Sequence, residues 1–134
     1  MNDQTTTIQD LKDQVHQFVT ERHWGKHHSS ANLAKSICLE AAELLEHYQW
    51  DDFSKPEDER EIAWELADII IYCLSFARVT NIDISEAVTE KLARSAKKYP
   101  VELFNQDRDS QADFHRIKRE YRRIASEKGA DAVA

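Results

Sequence analysis

Residues 57–79, EDEREIAWELADIIIYCLSFARV, decide the fold class of this chain. The stretch holds neither glycine nor proline, and apolar side chains from Ile69 to Leu74 cover most directions around a helix. A helix of that kind needs packing partners on several sides, so the stretch predicts a central helix in an oligomer. Because the run carries Glu65, Asp68 and Arg78 and is short, it is not expected to span a bilayer.

Four more helices are predicted around this central one from the three- and four-residue spacing of apolar side chains. The central helix lies at about Glu57–Val79. The other four lie at about Ile8–Trp24, at about Ala31–Gln49, in a segment ending at Lys98, and at about Gln111–Glu127. Thr6 or Thr7 is expected to cap the first helix and Gly25 to end it, and Ser30 to cap the second.

The fold class predicted is all-α. The 134 residues include only two glycines and two prolines, too few for the turns of a many-stranded sheet. A chain of this length forms one compact domain. We therefore expect an antiparallel bundle of four core helices plus a C-terminal helix, assembled as an oligomer. Residues 1–103 would form the helical domain, and residues 104–134 a polar loop and a basic helix that pack on it or extend it.

Charge and cysteine content restrict the partners and the compartment. With 18 basic and 25 acidic residues, the net charge of −7 argues against a nucleic-acid partner. The N-terminus, MNDQTTTIQD, does not resemble a signal peptide. Cys38 and Cys73 lie in apolar helical stretches without metal-ligand spacing, so they are expected to be reduced core thiols. A cytoplasmic protein without a membrane partner is the expectation.

Two acidic pairs are the candidates for chemistry. Glu40 and Glu43 are three residues apart on the second helix, and Glu65 and Asp68 repeat that spacing on the third. Glu40 and Glu65 lie within the apolar stripes of their helices, which directs the four carboxylates toward a shared apolar interior. Carboxylates crowded there repel one another and need a positive partner. That partner is either a basic side chain or a bound cation. Lys35 and Arg78, toward the helix ends, are the only basic residues of the two helices near the carboxylates.

The type of ligand favours a particular cation. A di-iron site would require Glu-x-x-His pairs, and none of the six histidines has a glutamate three residues before it. Ligation by carboxylates alone is typical of Mg²⁺, with Mn²⁺ as a substitute, and both share phosphate oxygens with substrates. The sequence therefore predicts a magnesium site.

In order along the chain, these residues resemble a known family. Glu40-Ala41-Ala42-Glu43, followed by Glu65-Leu66-Ala67-Asp68 and Tyr72, is similar to the signature of MazG-like pyrophosphohydrolases, in particular the dCTP pyrophosphatase-like branch. The resemblance covers about residues 8–103. Supporting matches are Glu21-Arg22-His23-Trp24, Asn32-Leu33 and Lys98-Tyr99-Pro100-Val101-Glu102.

The resemblance implies a helical homo-dimer or homo-tetramer. It would cleave nucleoside triphosphates between the α and β phosphates with Mg²⁺, giving nucleoside monophosphate and pyrophosphate. The substrates would be (deoxy)nucleotides such as dCTP or modified dNTPs, removed in nucleotide-pool clean-up. Metal ligation and catalysis fall to Glu40, Glu43, Glu65 and Asp68, with Glu43 the first candidate for the general base. The nucleoside pocket would include Trp24, Trp50 and Tyr72, and Lys91 would lie near the phosphates.

Four more residues complete the predicted substrate-binding set. Arg94 and Lys98 share a helix face with Lys91, while Asn32 and Tyr99 belong to the matching motifs. The alternatives are that the basic residues are solvated surface and that the tryptophans only cover the core.

The chain also departs from the branch. Val15 stands where the branch carries a histidine, with His16 next to it, and Ser95 stands where it carries an asparagine. These departures concern base selectivity more than the reaction. A nucleotide-binding or sensing module without catalysis is the alternative function, and a purely structural oligomer is a third.

Overall fold

The computed structural model describes residues 1–50, 59–104 and 110–131, and every regular element among them is helical. Two 3₁₀ turns, Trp24–His27 and Val101–Leu103, accompany the longer helices. The prediction of an all-α chain is confirmed. The α-helices are α1 (Ile8–Glu21), α2 (Ser30–Glu46), α3 (Glu59–Val79), α4 (Ile84–Lys98) and α5 (Ser110–Asp131).

A capping box fixes the start of α1. The backbone N–H of Asp10 donates to Thr7 Oγ1 at 3.1 Å, and the backbone N–H of Thr7 donates to the Asp10 carboxylate at 2.8 Å. The backbone and side-chain hydrogen bonds from Thr7 lower the pKa of Asp10. Of the two predicted caps, Thr7 is confirmed.

The predicted end of α1 is wrong. The helix stops at Glu21 instead of Trp24, and the left-handed residue that follows is His23, at φ 55°, while Gly25 has no positive φ. Continued helix would separate Phe18 and Trp24 by about 120° around the axis. The turn at His23 instead brings the two rings to 5.7 Å between centroids, in an edge-to-face contact.

Three other boundaries also differ from the prediction. Ser29, not Ser30, caps α2, because its hydroxyl accepts the N–H of Asn32 at 3.2 Å. The same helix ends at Glu46 rather than Gln49, where two 3₁₀-type bonds tighten the chain. Helix α5 continues past Glu127 to Asp131, and the Arg123–Glu127 ion pair at 2.7 Å supports its last turns.

A Schellman motif ends α3. Asn81 takes the left-handed conformation at φ 55°. The N–H of Ile82 donates to the carbonyl of Ala77 at 2.8 Å, and the N–H of Asn81 to that of Arg78 at 3.2 Å. The link predicted at residues 81–83 therefore stops the central helix at Val79.

Residues Met1–Ser85 form one compact unit, in which α3 packs against both α1 and α2. Among the described residues of this unit, the buried apolar side chains are Leu33, Leu74 and Ala77. Asp13, in the first half of α1, pairs with Arg78 at the end of α3 at 3.4 Å. Trp24, beyond the end of α1, shares a cavity with Asp68, earlier in α3. Helices α1 and α3 are therefore antiparallel.

Residues Glu86–Ala134 form the second compact unit. Ile117 is its buried apolar residue in the described part, and Phe114 stacks on Tyr99 with ring centroids 5.1 Å apart. Lys98 Nζ lies 4.7 Å from the centre of the Tyr121 ring. Phe114 and Tyr121 of α5 thus pack within this unit. The domain boundary between residues 103 and 104 stays a prediction.

The cysteines differ in exposure. Both are free thiols, but Cys38 is exposed, so the expectation of a core thiol is wrong there. Cys38 lies about 160° around α2 from Glu40, on the side away from the apolar stripe. None of the helices in the described parts of the chain combines the length and apolarity that a bilayer crossing needs.

Candidate metal centre and adjoining pocket

Helices α2 and α3 bring three carboxylates together. Glu40, Glu43 and Glu65 each offer one oxygen, and these oxygens lie within 4.8 Å of one another. One helical turn places Glu40 and Glu43 on the same side of α2, and the packing of α2 on α3 adds Glu65. Glu40 and Glu65 are half-buried, while Glu43 is exposed.

Asp68 stands at the edge of this cluster. It lies one turn after Glu65, outside the group of three close oxygens, and its side chain is exposed. Glu43 and Asp68 are each about 60° around their helices from Glu40 and Glu65, on the flanks of the apolar stripes. The expected dry interior is therefore wrong for these two residues, and the cluster is open to solvent on one side.

The electrostatics of the cluster centre on Glu40. Burial raises the pKa of the Glu40 carboxyl, and the charges of Glu43, Asp68 and Glu65 raise it further, in that order. Among residues 1–50, 59–104 and 110–131, no lysine or arginine pairs with any of the four carboxylates. An oxygen-only donor set with this much uncompensated charge fits Mg²⁺ or Mn²⁺.

A cavity of about 510 Å³ adjoins the cluster between α1 and α3. Three residues predicted for the site line it: Asp68, Tyr72 and Trp24. Asp68 belongs to both the cavity wall and the acidic cluster, so the two features are continuous. The remaining wall consists of Gln14, Val15, Phe18, Val19, His28, Ile71 and Ser75. An apolar, aromatic wall with a few polar groups is the usual lining of a small-molecule site.

A second cavity of about 270 Å³ shares Val15, Val19, His28 and Ser75 with the first. Val15, the position where the chain departs from the dCTP pyrophosphatase-like branch, thus contributes to both walls, whereas His16 lines only the smaller cavity.

Sequence reasoning missed the roles of His28 and Ser75 in the pocket. A signal for Ser75 existed, because Asp68, Tyr72 and Ser75 follow the i, i+4, i+7 spacing of one helix face.

The other predicted substrate-binding residues are not among the residues that line this cavity. The side chain of Trp50 is 90% exposed and lines neither cavity. Asn32 donates its side-chain amide to the carbonyl of His27 at 3.1 Å, which fixes the connection into α2. The other four residues belong to the second unit, where Lys91 and Arg94 are exposed and Lys98 and Tyr99 are half-buried. The substrate-binding roles of these four residues, and those of Trp50 and Asn32, stay predictions.

Fold and site together define a helical protein whose carboxylate cluster opens onto an aromatic cavity. The chain belongs to the MazG-like family, whose family model matches residues 35–114.

Named relatives extend this family assignment. dCTP pyrophosphatase 1 of Mus musculus is 29% identical over 104 residues, covering 72% of this chain and 61% of that protein. The Bos taurus protein of the same name is 30% identical, covering 72% of this chain and 62% of its own length. The chain thus spans about three fifths of these mammalian relatives.

A solved structure supports the fold as well. The crystal structure of a pyrophosphatase from Archaeoglobus fulgidus matches with a TM-score of 0.60 and 37% sequence identity. The match covers 69% of this chain and 91% of the archaeal one.

Proposed function

We propose that this protein is a Mg²⁺-dependent nucleoside triphosphate pyrophosphohydrolase. Water and a nucleoside triphosphate would react at the α–β phosphate anhydride to give nucleoside monophosphate and pyrophosphate. The observation that carries the proposal is a cluster of carboxylate oxygens within 4.8 Å that continues, through Asp68, into an aromatic cavity. Relatives named dCTP pyrophosphatase 1 and a structural neighbour named pyrophosphatase support the reaction class.

Glu40, Glu43, Glu65 and Asp68 would hold the metal. Mg²⁺, when bound, supplies charge neutralisation at the phosphates and activation of the attacking water. The protein's contribution is to hold the carboxylates close together on two packed helices. Mn²⁺ has the same preference for oxygen ligands and is expected to substitute.

The remaining residues would bind and orient the nucleotide. Trp24 and Tyr72 offer aromatic faces to the base inside the cavity, and stacking of this kind contributes about 1–3 kcal/mol per base. Glu43, the exposed member of the close group, is our candidate for the proton acceptor from water. We further propose that Lys91, Arg94 and Lys98 contact phosphates, and that Trp50, Asn32 and Tyr99 complete the nucleoside site.

The substrate proposed is a (deoxy)nucleotide such as dCTP or a modified dNTP. This choice rests on the names of the mammalian relatives. We place the activity in the cytoplasm, because both cysteines are free thiols.

We also propose a homo-dimer or homo-tetramer. Large apolar side chains on α2 and α3 remain more than half exposed in the single chain, including Leu39, Leu45 and Trp64. Exposed apolar groups of this number are typical of subunit contacts. Light scattering coupled to gel filtration should give a mass of two or four chains, and a monomer mass would contradict this part of the proposal.

A nucleotide panel tests the reaction. Purified protein is incubated with the ribo- and deoxynucleoside triphosphates and Mg²⁺, and monophosphate and pyrophosphate are quantified. We expect both products in equal amounts from the accepted substrates and none when EDTA is present. Nucleotide binding without product would favour a sensor instead, and release of orthophosphate would indicate another reaction.

A matched pair of variants links the reaction to the cluster. Glu40→Gln removes one carboxylate of the close group and should abolish turnover, because the negative charge and one of its two ligand oxygens are lost together. Glu46→Gln makes the same change at an exposed position near the end of α2, outside the cluster. It should leave the rate unchanged. Equal rates in the two variants would remove Glu40 from the mechanism.

A further inference from the structure

Ser75 is an unusual residue of the cavity wall. It is the buried polar residue of the described chain, with 7% of its surface exposed, and it lines both cavities. Its hydroxyl makes no hydrogen bond within the parts of the chain that the structure describes. Helical serines commonly bond the carbonyl four residues earlier, as Thr80 does with Phe76 at 2.7 Å. No buried side-chain oxygen of the described residues lacks a partner, so the Ser75 hydroxyl keeps access to the cavity space and can bond a ligand held there.

His28 is the second free polar group at the same place. It follows the 3₁₀ turn Trp24–His27, is half-buried, and lines both cavities. Its imidazole makes no hydrogen bond or ion pair with any described residue. Gln14, by contrast, already uses its side-chain amide to donate to the carbonyl of Asp10 at 3.2 Å. Ser75 and His28 therefore join Trp24, Asp68 and Tyr72 as wall residues whose polar side-chain atoms make no hydrogen bond to a described residue.

The position of Ser75 along α3 indicates which part of a nucleotide it meets. Asp68, at the metal cluster, and Ser75 are two helical turns apart, about 10 Å along the axis. That distance is comparable to the reach from the α-phosphate of a nucleotide to the outer edge of its base. Trp24 and Tyr72 line the same cavity. With the phosphates at the carboxylates, the base edge falls at Ser75 and His28.

We infer that Ser75 and His28 form the hydrogen-bonding surface that selects the nucleobase. This inference rests on the proposed function and deepens it. The hydroxyl of Ser75 can donate to or accept from the base, and the imidazole of His28 offers one donor and one acceptor when neutral. A site that bonds a polar edge discriminates strongly against a base that leaves the protein group unpaired.

Ser75→Ala tests the inference with little risk to folding, because alanine is the best helix former. For each of the four bases, kcat/KM is measured on the triphosphate with Mg²⁺. We expect the preferred base to lose about 3- to 10-fold, the effect of one neutral hydrogen bond. The kcat/KM for the least preferred base should change little, so the ratio of kcat/KM between the preferred and the least preferred base decreases. His28→Ala should narrow the same ratio.

Two control variants match these changes. Ser36→Ala removes a half-buried serine of α2 that lines neither cavity, and His16→Ala removes a histidine that lines only the smaller one. Both controls should keep the base preference of the wild-type protein. A Ser75→Ala variant whose rates are unchanged, or fall equally for all four bases, overturns the inference. A wild-type protein with equal kcat/KM for all four bases also overturns the inference.

A binding measurement separates this inference from the proposed reaction. Trp24 lines the cavity, so its fluorescence should respond to nucleoside monophosphates without any turnover. If the wild-type protein binds nucleoside monophosphates with a base preference but releases no pyrophosphate, the proposed reaction is wrong. The inference is then tested by binding alone, because Ser75→Ala should bind the four bases with a weaker preference than the wild-type protein. Absence of both binding and turnover refutes the two together.

Discussion

Replacing Glu40 by glutamine should make the metal-free protein more stable and remove its response to Mg²⁺. In the wild-type protein, burial and three neighbouring carboxylates raise the pKa of Glu40, so folding makes its ionised form less favourable than in the unfolded chain. Glutamine keeps the shape without the charge. The same substitution removes a metal ligand, and binding of Mg²⁺ to the folded state is the source of the expected stabilisation.

The distance within the cluster gives the magnitude. At 4.8 Å in water, each pair of carboxylates costs about 0.9 kcal/mol. Glu40 has two such neighbours, Glu43 and Glu65, which gives about 2 kcal/mol before salt screening. Because Glu43 is exposed, we expect about 1 kcal/mol at physiological salt, a rise in Tm of about 3–5 °C for a chain of this length.

The pH dependence has a defined sign. A carboxyl whose pKa is raised on folding binds its proton more tightly in the native state. The contribution of this carboxyl to stability is therefore fully present below its unfolded pKa, near the ordinary glutamate value of 4.5, and is lost as pH rises through the higher folded pKa. The stability advantage of Glu40→Gln over the wild-type protein should accordingly grow as pH rises from about 4 through that window.

Thermal unfolding in EDTA and in Mg²⁺ measures both effects. Wild-type protein should gain about 2.7 kcal/mol when Mg²⁺ is present at 100 times its Kd, and Glu40→Gln should gain almost none at the same concentration. Glu46→Gln serves as the charge-matched control and should follow the wild-type protein in both buffers. A Glu40→Gln protein that melts lower in EDTA, or responds to Mg²⁺ like the wild type, would refute the reasoning.

Two further predictions concern the scaffold. Leu33, with 1% of its surface exposed, is the most deeply buried large side chain among the described residues. Leu33→Ala should therefore lower the free energy of unfolding by about 2–5 kcal/mol in denaturant titration. A decrease of less than about 1 kcal/mol would show that the surrounding side chains collapse around the smaller residue. Thr7→Ala removes the hydroxyl of the capping box and should lower the free energy of unfolding by about 1 kcal/mol, whereas Thr7→Ser should retain most of that stability. Equal decreases in the two variants would show that the hydroxyl has no role in stability.

The acidic cluster was predictable from sequence because its geometry is periodic. Glu40 and Glu43 share one side of α2 at any helix rotation, and the apolar stripe fixes which side meets α3. The degree of exposure of Glu43 and Asp68 was not predictable in the same way. A 60° offset from the stripe places a side chain on its flank, and the packing of the neighbouring helix then decides whether it is covered.

The aromatic cavity was predictable only on its α3 side. Tyr72 and Asp68 follow from helical spacing, but the opposite wall depends on where α1 stops. Two left-handed residues, His23 and Asn81, end α1 and α3, and neither is a glycine that would mark the position. The turn at His23 folds Trp24 back onto Phe18 and leads the chain to His28. A helix continued to Trp24, as periodicity alone suggested, would have directed that indole away from Phe18.

The same turn explains why the aromatic cavity forms at this end of α1. Helical periodicity places side chains on faces of one helix, whereas a cavity needs walls from different segments at a fixed separation. Helix α3 supplies Asp68, Tyr72 and Ser75 at successive turns of a single face. The irregular segment after Glu21 supplies Trp24 and His28 opposite them. The hydroxyl of Ser75 and the imidazole of His28 make no hydrogen bond to a described residue, so both are available to a ligand in this cavity.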